Sequence, residues 1–131
     1  MKRKAIKPWP ALAPVLIVED EPKLQQLLRS FLQMHGVTAA VVSSGEEAVR
    51  YLGKMPVAAV LLDIKMPGMD GLLTLKRIKT LRPCAVVILV TALEDEQAMA
   101  DAVSLGASGF LLKPFSLNSL ETALLGKLLA G

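Results

Sequence analysis

The chain has 131 residues, 53% of them hydrophobic and 21% charged, a size near the commonest for one domain and apolar enough to bury a full core. No apolar stretch approaches the roughly 18 residues that a membrane-spanning helix needs, and no apolar signal core follows the N-terminal charges, so the expectation is a cytoplasmic protein without a membrane partner. The formal net charge of +3 comes from one end: taking Lys2, Arg3, Lys4 and Lys7 from the 15 basic residues leaves 11 against 12 acidic ones, which argues against direct nucleic-acid binding by the globular part.

Residues 1–14 contain Pro8, Pro10 and Pro14 and cannot form regular helix, so they are expected to lie extended before the first strand as a basic, solubilising extension. Trp9 falls there, outside the core pattern. The run Val15-Leu16-Ile17-Val18 lacks polar alternation, as a strand covered on both faces does, and ends at Glu19-Asp20. Leu24, Leu27, Leu28, Phe31 and Leu32 have the spacing of one helical face, with Pro22 to start the helix and Gly36 to stop it. His35, at that helix end, is expected to be a C-terminal dipole partner. Residues 37–42 read as a second strand, and Ser43-Ser44 cap a short helix through Leu52, with Glu46 and Glu47 in its first turn.

The apolar run 57–62 ends at Asp63. Asp70 opens a third helix to about Leu81, which Pro83 prevents from continuing. Cys84 has no second cysteine to pair with and no metal-ligand partners nearby. A run over 85–90 ends at Thr91, a fourth helix is expected over 94–105 with Gly106 at its end, and the run Gly109-Phe110-Leu111-Leu112 ends at Lys113. Leu117, Leu120, Leu124 and Leu128 place one apolar stripe on a last helix beginning near Ser116. Strand and helix alternate five times, and right-handed crossovers turn that order into an α/β, doubly wound, five-stranded parallel sheet.

In open α/β sheets the carboxyl ends of the strands line the ligand crevice. The endings Glu19-Asp20, Asp63, Thr91 and Lys113 therefore predict one pocket holding three carboxylates, a hydroxyl and an ammonium. Singly, each has an ordinary reading: helix-capping or turn carboxylates, a strand-end hydroxyl, a solvated lysine. Their convergence is what points to chemistry. A carboxylate that attacks a phosphorylated donor is repelled unless a cation neutralises the developing charge, and Glu19 with Asp20 offers hard oxygen ligands.

Four segments carry a family resemblance: Val-Leu-Ile-Val-Glu-Asp-Glu-Pro at 15–22, Leu-Leu-Asp-Ile-Lys-Met-Pro-Gly-Met-Asp-Gly at 61–71, Val-Thr-Ala at 90–92 and Gly-Phe-Leu-Leu-Lys-Pro-Phe at 109–115. In this order they resemble the CheY-like receiver domains of two-component response regulators over residues 15–131. The resemblance implies sheet order 2-1-3-4-5, with Asp63 as phosphoacceptor and Mg²⁺ or Mn²⁺ held by Asp20 and Asp63, by Glu19 through water, and by the backbone carbonyl of Lys65. It further implies that Thr91 and Lys113 bind phosphoryl oxygens, that Thr91 and Phe110 form the switch, and that the Lys113–Pro114 peptide is cis. Lys65 and Leu93 would flank the path of the hydrolytic water; because Leu93 cannot orient it, self-dephosphorylation is expected to be slow, as in a relay intermediate or a sustained signal. Lys65 and the run 70–79 are also similar to single-domain sporulation-relay regulators.

The partners so implied are a sensor histidine kinase or histidine phosphotransfer protein, and a downstream protein on the face made by the fourth helix, fifth strand and last helix. Ala98, Ala102 and Val103, expected to be exposed, could equally serve a phosphorylation-dependent homodimer there or pack on the sheet. Only 17 residues follow Pro114, too few for a DNA-binding helix-turn-helix, so the chain either works by binding partners or is the receiver of a longer regulator with a DNA-binding or enzymatic output domain. It would not be an enzyme beyond its own phosphorylation and dephosphorylation. A metal-dependent phosphohydrolase with an Asp nucleophile is the contrasting reading, disfavoured because Lys65 stands where its second acid would be.

Overall fold

Uninterrupted apolar strands can be buried only between two layers of helix, and that is how this chain is arranged. The computed structural model describes residues 13–64, 70–92 and 96–130, with side chains described through Leu124; Trp9, Lys65 and Leu93 lie outside the described residues. In chain order the elements are β1 (Val15–Val18), α1 (Pro22–Met34), β2 (Ala39–Val42), α2 (Gly45–Lys54), β3 (Ala59–Asp63), α3 (Gly71–Leu81), β4 (Val87–Ala92), α4 (Glu96–Ser104), β5 (Gly109–Lys113) and α5 (Leu117–Ala130). The strands form one parallel sheet in the order β2-β1-β3-β4-β5, the order that the family resemblance implies.

Alternation along the strands divides the core in two. Ile17, Leu61, Ile88, Val90 and Leu111 face Leu28, Phe31 and Leu32 of α1 and Leu120 and Leu124 of α5. On the other side Leu16, Leu62, Val87 and Leu89 pack on α2, α3 and α4 through Ala48, Leu52, Leu75, Ile78 and Ala102. Ala102, expected on the exposed face of α4, is fully buried, whereas its neighbour Val103 is 61% exposed. The small side chain lets α4 lie close to the sheet.

The helix ends follow local chemistry. Pro22 stands in the first turn of α1, and Gly36, at φ 75°, takes the left-handed conformation after it. The Ser44 hydroxyl accepts from the Glu47 N–H and caps α2; the Asp70 carboxylate accepts from the Leu73 N–H and caps α3. β3 and β4 begin two residues later than the apolar runs and take in Asp63 and Thr91. Before each strand the backbone is engaged elsewhere, the Ala58 N–H with the Pro14 carbonyl and the Ala85 N–H with the Arg82 carbonyl, so hydrophobicity starts before the ladder does.

Candidate active site

Parallel register brings the chemistry-bearing residues to one edge of the sheet. Val18 is level with Val42 and Leu62, which sets Glu19 and Asp63 one step beyond on adjacent strands. Asp63 is level with Val90, placing Thr91 one residue further along β4; Lys113, level with Ala92, ends β5. Asp63 is 3% exposed, and the Lys113 ammonium donates to its Oδ2 at 3.0 Å. The Lys113–Pro114 peptide bond is cis.

Glu19 is 2% exposed. Its backbone N–H donates to the Val42 carbonyl, and its Oε2 accepts from the Glu21 N–H at 3.0 Å. Its Oε1 is buried and receives no hydrogen bond; the contact between Glu19 and Asp63 becomes a hydrogen bond only when one of the two carboxyls carries a proton. Burial above all, then that contact, push the Glu19 carboxyl up from its ordinary 4.5 to about 8, with the Asp63 charge adding to them and the Glu21 N–H and the Lys113 ammonium opposing. Two carboxyls thus share one low-dielectric pocket with one lysine.

Asp20 is exposed at the rim, and among the described residues no three Asp, Glu, His or Cys side chains converge as a metal cluster. The donor set still suits a small hard cation, since a buried carboxylate oxygen without a donor, beside a second carboxylate, is what such an ion satisfies. Thr91 is fully buried, its hydroxyl 3.5 Å from the Ala92 carbonyl. Phe110, level with Leu89 on β5, is half-buried against the α2–α3–α4 side of the sheet. Thr91, two residues beyond Leu89, belongs to that same face by strand alternation.

Two residues support the site in ways that the sequence pattern did not assign, although Gly71 ends the segment 61–71 that carries the resemblance. A Cβ on Gly71 would lie 2.5 Å from the Ile64 Cα and Cβ, so only glycine lets the start of α3 pass this close behind Asp63. Gln25 donates its side-chain amide to the Glu19 carbonyl. The Asp70-Gly71 pair is a signal for the first; Gln25 had none, because a polar residue among leucines reads as the solvated side of a helix.

The receiver-domain family model of response regulators matches residues 15–125. The transcriptional regulatory protein ZraR of Escherichia coli K12 is 34% identical over 84% of this chain, a match that spans 25% of the ZraR length. The receiver domain protein of Methanospirillum hungatei JF-1 superposes with a TM-score of 0.84 at 25% identity, covering 89% of this chain and 94% of that one. The receiver domain of the sensor histidine kinase PA1611 of Pseudomonas aeruginosa, with magnesium coordinated in its active-site cleft, gives 0.80 at 24% identity, covering 92% and 99%. With its sheet order, its cluster of acids and lysine, and its match along nearly the whole globular part, the chain belongs to the receiver domains of two-component response regulators.

Proposed function

We propose that this receiver takes one phosphoryl group on Asp63 from a histidine kinase or histidine phosphotransfer protein. The observation that carries the reading is the buried Asp63 carboxylate with the Lys113 ammonium at 3.0 Å. An Asp63 oxygen forms the new bond to phosphorus as the bond from phosphorus to the donor's nitrogen breaks, its electron pair leaving with the donor. The Lys113 ammonium offsets charge on one phosphoryl oxygen, and the Thr91 hydroxyl donates to another. Asp20, Asp63 and the Lys65 carbonyl, with Glu19 through water, would hold Mg²⁺ or Mn²⁺, which supplies charge neutralisation between the two anions. Intact mass after incubation with acetyl phosphate and Mg²⁺ tests this: one phosphoryl adduct is expected, absent in Asp63→Asn and without metal, and an unmodified, folded wild type would overturn it.

The switch is proposed to run from Thr91 to Phe110. Both belong to the sheet face that α4 covers, so a Thr91 hydroxyl drawn toward the phosphoryl group vacates space that Phe110 fills, and α4, β5 and α5 shift with it. That face would recruit a downstream protein or a second phosphorylated copy; on α4, Val103 is a large apolar residue left 61% exposed. Self-dephosphorylation is proposed to be slow because Leu93, at a position that would flank the path of the hydrolytic water, has no polar group to orient it, and a half-life of seconds would contradict this. A cytoplasmic location fits a kinase partner, and among the described residues no helix is long and apolar enough to cross a membrane. Residues 1–14 are proposed to be a basic extension outside the receiver.

A second reading has its own observation: the chain spans 25% of the length of ZraR and 42% of that of BaeR, both transcriptional regulatory proteins. On that reading it is the receiver of a longer regulator whose output domain binds DNA or carries an enzyme. Turnover of a phosphate ester, rather than one phosphoryl group per chain, would mark a hydrolase instead.

A further inference from the structure

The acidic turn after β1 is tied to a neighbouring element by one side chain. Gln25, in the first turns of α1 and half-buried, donates from Nε2 to the Glu19 backbone carbonyl and, at 3.3 Å, to the Ser43 hydroxyl. A carbonyl can only accept, so it settles which end of the amide faces it. Ser43 is in turn fixed from α2, its N–H donating to Glu47 Oε1 at 2.8 Å, while the Glu47 N–H donates to Ser44 Oγ at 3.1 Å. The chain of bonds runs from the N-terminus of α2 through Ser43 and Gln25 to Glu19.

We propose that Gln25 is a positioning residue that sets the direction of the Glu19 carboxylate toward Asp63. Glu19 is held at three points, by its N–H on the Val42 carbonyl, by its carbonyl under Gln25 and by Oε2 under the Glu21 N–H. Those restraints leave Oε1 buried and without a donor. Without Gln25 the carbonyl loses its side-chain anchor and the Glu19 backbone can rotate, taking the carboxyl away from Asp63. The inference rests on the divalent-cation site proposed above, because aiming that oxygen has a purpose only if a cation is to meet it. Partners of this kind typically change metal affinity by about 10- to 100-fold when removed.

The test is a thermal-shift titration with Mg²⁺ on the full chain, alongside acetyl phosphate labelling at saturating Mg²⁺. Wild type should gain melting temperature with Mg²⁺. Gln25→Ala should need about tenfold more Mg²⁺ for the half-maximal shift, yet reach near wild-type labelling once metal is saturating. Gln25→Met keeps the length and apolar stem without the amide and should behave like Ala; Ser43→Ala, which removes one of the two amide partners, should move the half-point less. A Gln25→Met protein with the wild-type half-point, or an Ala variant that loses stability equally with and without Mg²⁺, overturns the positioning role while the cation site stands. A wild type indifferent to Mg²⁺ overturns both.

Discussion

Burial turns Glu19 from an ordinary carboxyl into one that titrates near neutrality. Its value in the folded chain, about 8, lies above the ordinary 4.5, so folding tightens its hold on a proton. The stabilisation this gives is fully present below about pH 4.5 and is lost as pH rises through about 8. In buffer with a chelator, the melting temperature should therefore fall between pH 5 and pH 8, and Glu19→Gln should flatten that fall. A wild type and variant with parallel profiles would show that the carboxyl is not held in this way. Lys113 acts on the same pair from the other side, donating to Asp63 at 3.0 Å. Lys113→Met should slow labelling by acetyl phosphate by about a hundredfold, as loss of one charge-stabilising donor does, measured as the rate of adduct formation by intact mass. An unchanged rate would remove the lysine from the chemistry.

At the scale of elements, the site depends on where helices begin. α3 starts close behind Asp63 because Gly71 lacks a Cβ, and an alanine there would meet Ile64 backbone at 2.5 Å. No rotamer relieves a backbone clash. Gly71→Ala should cost about 1–3 kcal/mol, the usual range for overpacking, read from urea denaturation, and should also slow labelling because Ile64 adjoins Asp63. The caps are separable from this. Ser44→Ala removes the bond to the Glu47 N–H and Asp70→Ala the bond to the Leu73 N–H, each expected to cost about 1 kcal/mol in the same denaturation. If Gly71→Ala cost no more than the caps, the close approach would not be a constraint.

At the scale of the molecule, the two halves of the core have different tasks. The side carrying α1 and α5 is closed by large residues, among them Leu28, Phe31, Leu32, Leu120 and Leu124, all at most 4% exposed. There His35, at the end of α1, donates from Nδ1 to the Phe31 carbonyl, and its Nε2 lies 3.5 Å from Glu121 of α5, an ion pair whenever the ring is protonated. On the other half α2 and α3 bring equally large residues, Leu52, Leu75 and Ile78, but α4 meets the sheet through Ala98 and Ala102, with Phe110 half-buried beside them. Motion belongs where packing is least dense. Hydrogen exchange with and without phosphorylation should change in α4 and β5 more than in α1, and Phe110→Ala should abolish most of the α4 change while labelling continues. An α4 response as large in Phe110→Ala as in wild type would break the proposed coupling.

The sequence by itself determined the five alternations of strand and helix, because burial on both faces requires strands such as Val15–Val18 to be apolar throughout and because Pro22, Ser44 and Asp70 state their helix starts chemically. It also named the strand-end residues Glu19, Asp63, Thr91 and Lys113, since a polar group closing an apolar run is visible without knowing what lies opposite it. Only the tertiary structure decided that Glu19 is buried against Asp63 while its neighbour Asp20 is exposed, that Ala102 faces the sheet, that Gly71 rests on Ile64 and that Gln25 reaches the Glu19 carbonyl. Each of these depends on how far apart two elements come to rest and on which way a side chain turns between them. Such distances are set jointly by every residue in the packed layer, so no local pattern around any one residue encodes them.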